Sequence, residues 1–130
     1  MKLKFKMLLM SIAFFGIALG ANAQQGWTKI GERKVDFKAD KDVIHAISKG
    51  KFRYLQVHVE DKAVEFDRMQ VNFFNGKSQT IALRNRIPAG GKSRILNLKG
   101  DLRTITTIEF WYKSEKRGGK KASVIVYGKR

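Results

Sequence analysis

Across residues 27–130 apolar side chains recur at every second position in short runs, and no stretch keeps a helical period. Segments rich in Val, Ile, Phe, Thr and Tyr, broken by Gly, Asn and Asp, predict strands near 28–37, 43–47, 52–60, 63–74, 78–86, 93–99, 103–114 and 120–128. Alternation also assigns faces. Leu55, Val57 and Val59 point one way and leave Tyr54, Gln56 and His58 on the other. Met69, Val71 and Phe73 oppose Gln70, Asn72 and Phe74, while Ile108, Phe110 and Tyr112 oppose Thr107, Glu109 and Trp111. One apolar and one wet face per strand is the pattern of antiparallel sheets. Between Phe66 and Met69 the phase slips by one, which predicts a bulge near Asp67-Arg68. The fold class is therefore all-β: one antiparallel β-sandwich, jelly-roll-like, with about eight strands, a barrel being the other closed arrangement.

Turn residues refine the topology. Asn75-Gly76 sits between two apolar runs and predicts a tight hairpin that uses positive φ angles. Gly118-Gly119 predicts a similar hairpin joining Ile105–Tyr112 to Ala122–Tyr127, and Lys99-Gly100-Asp101 separates Ile95–Leu98 from Arg103–Ile108. Pro88, the single proline, falls in the loop Pro88-Ala89-Gly90-Gly91, where no ladder donor is needed. No repeat or linker divides the chain, and 130 residues suit one domain.

The first 23 residues follow another pattern. Lys2, Lys4 and Lys6 precede an apolar run from Met7 to Leu19, and Ala21-Asn22-Ala23 fits a small-x-small cleavage site. This is the layout of a secretory signal, placing a mature domain at 24–130 and the protein in the periplasm or outside the cell. The run is shorter than the ~20 residues of a membrane-spanning helix.

Composition then narrows the chemistry. With no cysteine, disulfides, thiolate nucleophiles, Cys-based metal sites and a lipid-anchored N-terminus are all excluded. The formal charge is +16, from 27 Lys and Arg against 11 Asp and Glu. Basic residues cluster at Lys49, Lys51 and Arg53, at Arg84 and Arg86, and at Lys92 and Arg94; a further group is Lys113, Lys116, Arg117, Lys120 and Lys121. Such a field attracts anions and weakens with salt. Outside the cytoplasm those anions are phospholipid or lipopolysaccharide head groups, acidic polysaccharides, peptidoglycan-linked polymers and extracellular DNA. Lysine-rich edges also serve simply to keep sheets from pairing.

Several catalytic and cofactor patterns fail. Gly91-Lys92-Ser93 ends like a phosphate loop, but Arg86 stands where its first glycine belongs, so no nucleotide partner is expected. Asp40-Lys41-Asp42 lacks the remaining oxygen ligands of a calcium loop and reads as a turn whose Asp side chains cap backbone N–H groups. His45 and His58 are too few for a metal site, and no Gly-x-Ser-x-Gly elbow accompanies them. A hydrolase would need Glu109, Glu65 or His58 to converge in a cleft. The expectation is a protein without catalysis, metal or cofactor. Arg84, Arg86, Arg94 and Arg103 are the candidate anion ligands, because guanidinium pairs bidentately with phosphate, sulfate and carboxylate. Trp111 and Tyr54, directed away from the core, are the candidate stacking surfaces for sugar rings; Phe74 points the same way.

One set of residues carries a resemblance. Gly26-Trp27, Ile30-Gly31, Asp40-x-Asp42-x-Ile44 and Met69-x-Val71-x-Phe73-x-Asn75-Gly76 form its first half. Ser93-Arg94, Leu98-x-Gly100, Arg103, Ile105, Ile108, Tyr112 and Val126-Tyr127-Gly128 form the second. Together they resemble small exported bacterial β-sandwich proteins of an uncharacterised domain family, the YaaI-like type. That likeness implies location and fold but no activity. The strand order is also similar to galactose-binding-like jelly rolls, whose members often bind glycans. The leading expectation is a module for an anionic envelope component or glycan, such as an acidic polysaccharide or lipopolysaccharide. The alternatives are a protein-interaction or envelope-stress accessory domain, and a hydrolase of an envelope polymer. An OB-type barrel for single-stranded nucleic acid conflicts with the export signal.

Overall fold

The computed structural model describes residues 26–48, 50–113 and 121–130. Residues 1–25, Lys49 and the segment 114–120, with Lys116, Arg117, Gly118-Gly119 and Lys120, lie outside the described residues. Nine strands form: β1 Thr28–Val35, β2 Lys41–His45, β3 Lys51–Phe52, β4 Tyr54–Glu60, β5 Val64–Phe73, β6 Ser78–Ile87, β7 Leu96–Asn97, β8 Arg103–Tyr112 and β9 Ala122–Lys129. They build two antiparallel sheets, β1-β9-β4-β7 and β2-β8-β5-β6, with β3 added to β8. The all-β sandwich is as expected, with one strand more. The run read as 52–60 divides at Arg53. Phe52 pairs with Arg103 in one sheet, and Tyr54 pairs with Lys129 in the other, so the chain changes layer there.

The core lies between the layers and contains the alternating sets read from the sequence. Leu55, Val57, Val59, Met69, Val71, Phe73, Ile108, Phe110 and Tyr112 are all buried. Ile30, Val35, Phe52, Leu83, Leu96, Leu98, Val124 and Val126 belong to the same cluster, as do Phe37, Ile44, Val64, Phe66, Ile87, Ile105 and Ala122. Burying these apolar surfaces is the main term that holds a disulfide-free domain together. The bulge is where the phase slip places it. Phe66 pairs with Tyr112 and Arg68 with Trp111, leaving Asp67 as the extra residue against β8. On the other side of β5 the extra residue is on β6, where Arg84 adopts a φ of 42°.

Three turn expectations are corrected. The β5–β6 hairpin is not a two-residue turn with positive φ at both positions, because only Gly76 (φ 88°) enters that region. Its N–H donates to the Phe73 carbonyl (3.0 Å), and the Lys77 N–H donates to Asn75 Oδ1 (3.0 Å). This is a three-residue loop that needs glycine at its last position. Strands β8 and β9 are not hairpin partners, because β8 pairs with β2, β3 and β5 while β9 pairs with β1 and β4. Each is an interior strand of its own sheet, and a Gly-Gly pair permits a tight turn without dictating that the strands on either side share a sheet. Asp40 and Asp42 do not cap the first turn. Asp36 does, accepting from the Lys38 N–H at 3.0 Å. Asp42 instead lies in β2, where it accepts from the Tyr112 hydroxyl (2.8 Å) and pairs with Arg33 (3.0 Å). Burial foremost, then this carboxylate, raises the Tyr112 phenol well above its ordinary range, so Tyr112 stays a donor.

The free edge of β4 is covered by the segment that leads from Pro88 into β7. Val59 exchanges bonds with Gly90 and Gly91, and Leu98 N–H reaches the Arg53 carbonyl. Where the ladder breaks, buried Ser93 repairs it. Its Oγ accepts from the Val57 N–H (3.0 Å) and donates to the Arg94 carbonyl (2.7 Å). The Gly91-Lys92-Ser93 stretch is thus extended edge structure followed by β7.

Candidate functional site

The outer face of the β2-β8-β5-β6 sheet is arranged in rows set by register. Lys41, Trp111, Arg68 and Ala82 form one row across β2, β8, β5 and β6. Val43, Glu109, Gln70 and Thr80 form the next, and His45, Thr107, Asn72 and Ser78 the third. In the first row the indole is held between two cations. The Arg68 guanidinium carbon lies 4.0 Å from the ring centroid and Lys41 Nζ lies 5.1 Å away. Cations above an aromatic face are attracted by its quadrupole, so Trp111 is oriented as well as half-exposed.

The adjoining rows carry a fixed polar network. Glu109 accepts from Lys41 (2.8 Å) and from the Asn72 amide (2.9 Å), and that amide also donates to Thr107 Oγ1 (2.8 Å). Gln70 Nε2 donates to Asn72 Oδ1 at 3.0 Å. The Lys41 and Asn72 contacts hold the Glu109 carboxyl below its ordinary range, against a smaller opposing effect of burial. A group so held is a poor proton donor near neutral pH.

Beside Trp111 the double bulge opens a cleft of about 500 Å³, lined by Asp40, Glu65, Asp67, Arg68, Arg84 and Lys113 together with Phe66, Asn85, Trp111 and Tyr112. Acids and bases balance in this lining. Asp67 and Arg68 pair at 2.7 Å. Arg84 and Lys113 form no ion pair with any described residue and are the cations left for a ligand.

The six residues singled out from sequence do not share one surface. Arg84 and Trp111 meet in the corner cleft. Arg86 is exposed on the same strand as Arg84, paired across the ladder with Glu65. Arg94 spends its guanidinium on β6 carbonyls, reaching Ala82 O at 2.7 Å and Leu83 O at 3.5 Å. Arg103 sits at the far end of β8, stacked on Phe73 (3.9 Å) and bonded to the Lys99 carbonyl (2.9 Å). Tyr54 belongs to the other sheet, beside Arg53 at 6.0 Å. Sequence reasoning missed Lys41 and Arg68. The outward parity of Arg68 was available in the phase slip, but Lys41 was read as a turn residue and its register with Trp111 left no local trace.

Catalytic candidates are also dispersed. Glu65 lines the cleft, Glu109 is tied into the polar rows, and His58 lies on the opposite outer face against Tyr127 (4.5 Å between ring centroids). Burial foremost, then Lys92, lowers the His58 pKa, with Glu60 opposing. Among the described residues no group of His, Asp or Glu is placed to hold a metal ion, and no helix is long and apolar enough to cross a membrane.

Comparison with known proteins gives the family. The model described as "Domain of unknown function (DUF2541)" matches residues 7–128, and the chain belongs to that family. No curated protein matches. Among solved structures the chain is similar to AlgX of Pseudomonas aeruginosa (14% identity, TM-score 0.52), covering 88% of this chain and 29% of that one. It is also similar to a Bacteroides thetaiotaomicron protein assigned as an alpha-L-fucosidase (12% identity, TM-score 0.54), covering 88% and 25% respectively. The chain therefore spans less than a third of either protein, and at these identities the likeness is one of fold. A family 29 carbohydrate-binding module aligns more loosely, at a TM-score of 0.36 and 16% identity.

Proposed function

We propose that this member of the DUF2541 family is an exported, non-catalytic module that binds a sparsely charged acidic glycan at the Trp111 corner. The observation that carries the reading is Trp111 itself, braced by Arg68 and Lys41 and opening onto a cleft of mixed charge. Sugar rings present C–H faces that pack on an indole, and their carboxylates pair with guanidinium. Their hydroxyls need both donors and acceptors, which Glu109, Gln70 and Thr107 supply in an array that Asn72 fixes through its own bonds to all three. The lining also selects against densely charged anions. Asp40, Glu65 and Asp67 would repel a polyphosphate but accept hydroxyl donors. Export rests on the layout of residues 1–23.

Pairing of a protein partner onto the β6 edge is disfavoured. The β6 edge is broken by the Arg84 bulge, capped by Arg94, and tied to residues 97–99 through Gln79, whose amide donates to Asn97 O (3.1 Å) and accepts from Lys99 N–H (2.8 Å).

Calorimetric titration with uronic-acid and neutral oligosaccharides at two salt concentrations tests the reading. The acidic series should bind, more weakly at high salt, and Trp111→Ala and Arg84→Ala should each weaken it about tenfold, the scale of one desolvated stacking or charged contact. Absence of binding at low salt, or full binding by the double variant, would overturn it.

A further inference from the structure

The opposite end of β8 has a different chemistry. Arg103 and Trp111 are eight residues apart on one strand, about 26 Å at an extended rise. Around Arg103 lie two shallow clefts of about 280 Å³ each, divided by the Arg103–Phe73 stack. Lys77 and Lys99 line one, Lys51 lines the other, and Arg103 lines both. Neither contains a carboxylate; Asp101 lies on the neighbouring loop, outside both linings. Phe74 stands at this tip and is 80% exposed, the most exposed large apolar side chain among the described residues. It is not on a loose loop. Its N–H donates to the Thr104 carbonyl (2.9 Å), and the loop is closed by the Phe73–Lys77 and Gly76–Phe73 bonds.

We infer that this tip docks onto an anionic phospholipid surface, with Phe74 entering the acyl boundary and Lys51, Lys77 and Lys99 meeting lipid phosphates. A single aromatic ring beside clefts lined by cations offers too little apolar area for a stable protein interface. A bilayer accepts that combination, because its interface takes one apolar wedge while the negative surface potential attracts each nearby cation. The inference is independent of glycan binding, which uses the other end of the sheet, and one protein could thereby hold a glycan close to a membrane.

Co-sedimentation of the full mature chain with vesicles tests this. Vesicles of phosphatidylglycerol and phosphatidylcholine should retain it at least tenfold more strongly than pure phosphatidylcholine, with the advantage shrinking in salt. Phe74→Ser and, separately, the double variant Lys77→Gln/Lys99→Gln should each remove most of that binding, while Trp111→Ala should leave it intact. Circular dichroism of the surface variants guards against misfolding, and agreement of two unrelated variants guards against a local defect. Equal retention on both vesicle types, or retention unchanged in both tip variants, would show that the excess charge acts diffusely and would overturn the proposal. Displacement by millimolar glycerol phosphate would overturn it too, marking the tip as a site for soluble phosphate.

Discussion

The Trp111 corner and the Phe74 tip stand at opposite ends of the same sheet and are built from the same alternation, yet they invite different partners. At the corner, Asp40, Glu65 and Asp67 interleave with Arg68, Arg84 and Lys113, and the aromatic ring is half-covered by cations. At the tip every charged residue of the cleft linings is a cation and the apolar ring is bare. Net charge does not distinguish them, since both belong to one strongly basic chain. What differs is whether carboxylates share the lining with the cations, and that decides whether the surface offers selective hydrogen bonding or plain attraction.

The largest test of this contrast is Arg103. Its guanidinium is committed twice, to the Phe73 ring and the Lys99 carbonyl, so it braces the tip rather than serving a ligand. Arg103→Ala should cost about 1–2 kcal/mol, seen as a lower urea midpoint at unchanged slope. Arg103→Lys should recover less than half of that, because lysine keeps the charge and loses the stacking plane. If the alanine variant matches the parent in stability, Arg103 is an uncommitted surface cation and the tip is not braced.

How much of this was legible beforehand follows from range. Faces and the bulge could be read because both are properties of consecutive residues: Phe66, Asp67, Arg68 and Met69 announce the slip themselves. Which sheet a strand joins could not be read. The partners of β8 and β9 are fixed by burial on two sides, which turn residues between them do not encode. The arginines fared likewise. Their chemistry suggested one anion site, but only register and packing reveal that Arg94 and Arg103 are spent on carbonyls while Arg84 is left facing a cleft. Conversely Lys41 gained its role from a partner 70 residues away.

Arg84 sharpens the corner at a smaller scale. Its φ of 42° is a conformation that L side chains adopt at a cost and glycine does not. Arg84→Gly should therefore stabilise the domain by about 0.5–1 kcal/mol while weakening acidic-glycan binding. Arg84→Ala should weaken binding equally with no stability gain. A glycine variant that is no more stable would mean the bulge is not strained. One that also binds as well as the parent would remove Arg84 from the site.

The smallest expected effect separates the two ends by pH. Lys41 foremost, then Asn72, lower the Glu109 carboxyl from its ordinary value of 4.5. The unfolded chain therefore takes up this proton first on acidification, and stability from Glu109 is complete above pH 4.5 and lost as pH falls through the lower folded value. The pair is partly exposed, so its contribution is below about 1 kcal/mol. Urea midpoints measured on either side of pH 4.5 should fall more steeply for the parent than for Glu109→Gln, which should be slightly less stable at neutral pH. Replacing Lys77 or Lys99 should leave that slope untouched, because the clefts they line hold no carboxylate to titrate. Identical acid limbs for parent and Glu109→Gln would mean that Lys41 is not engaged, and the Trp111 row would lose one of the two cations that orient it.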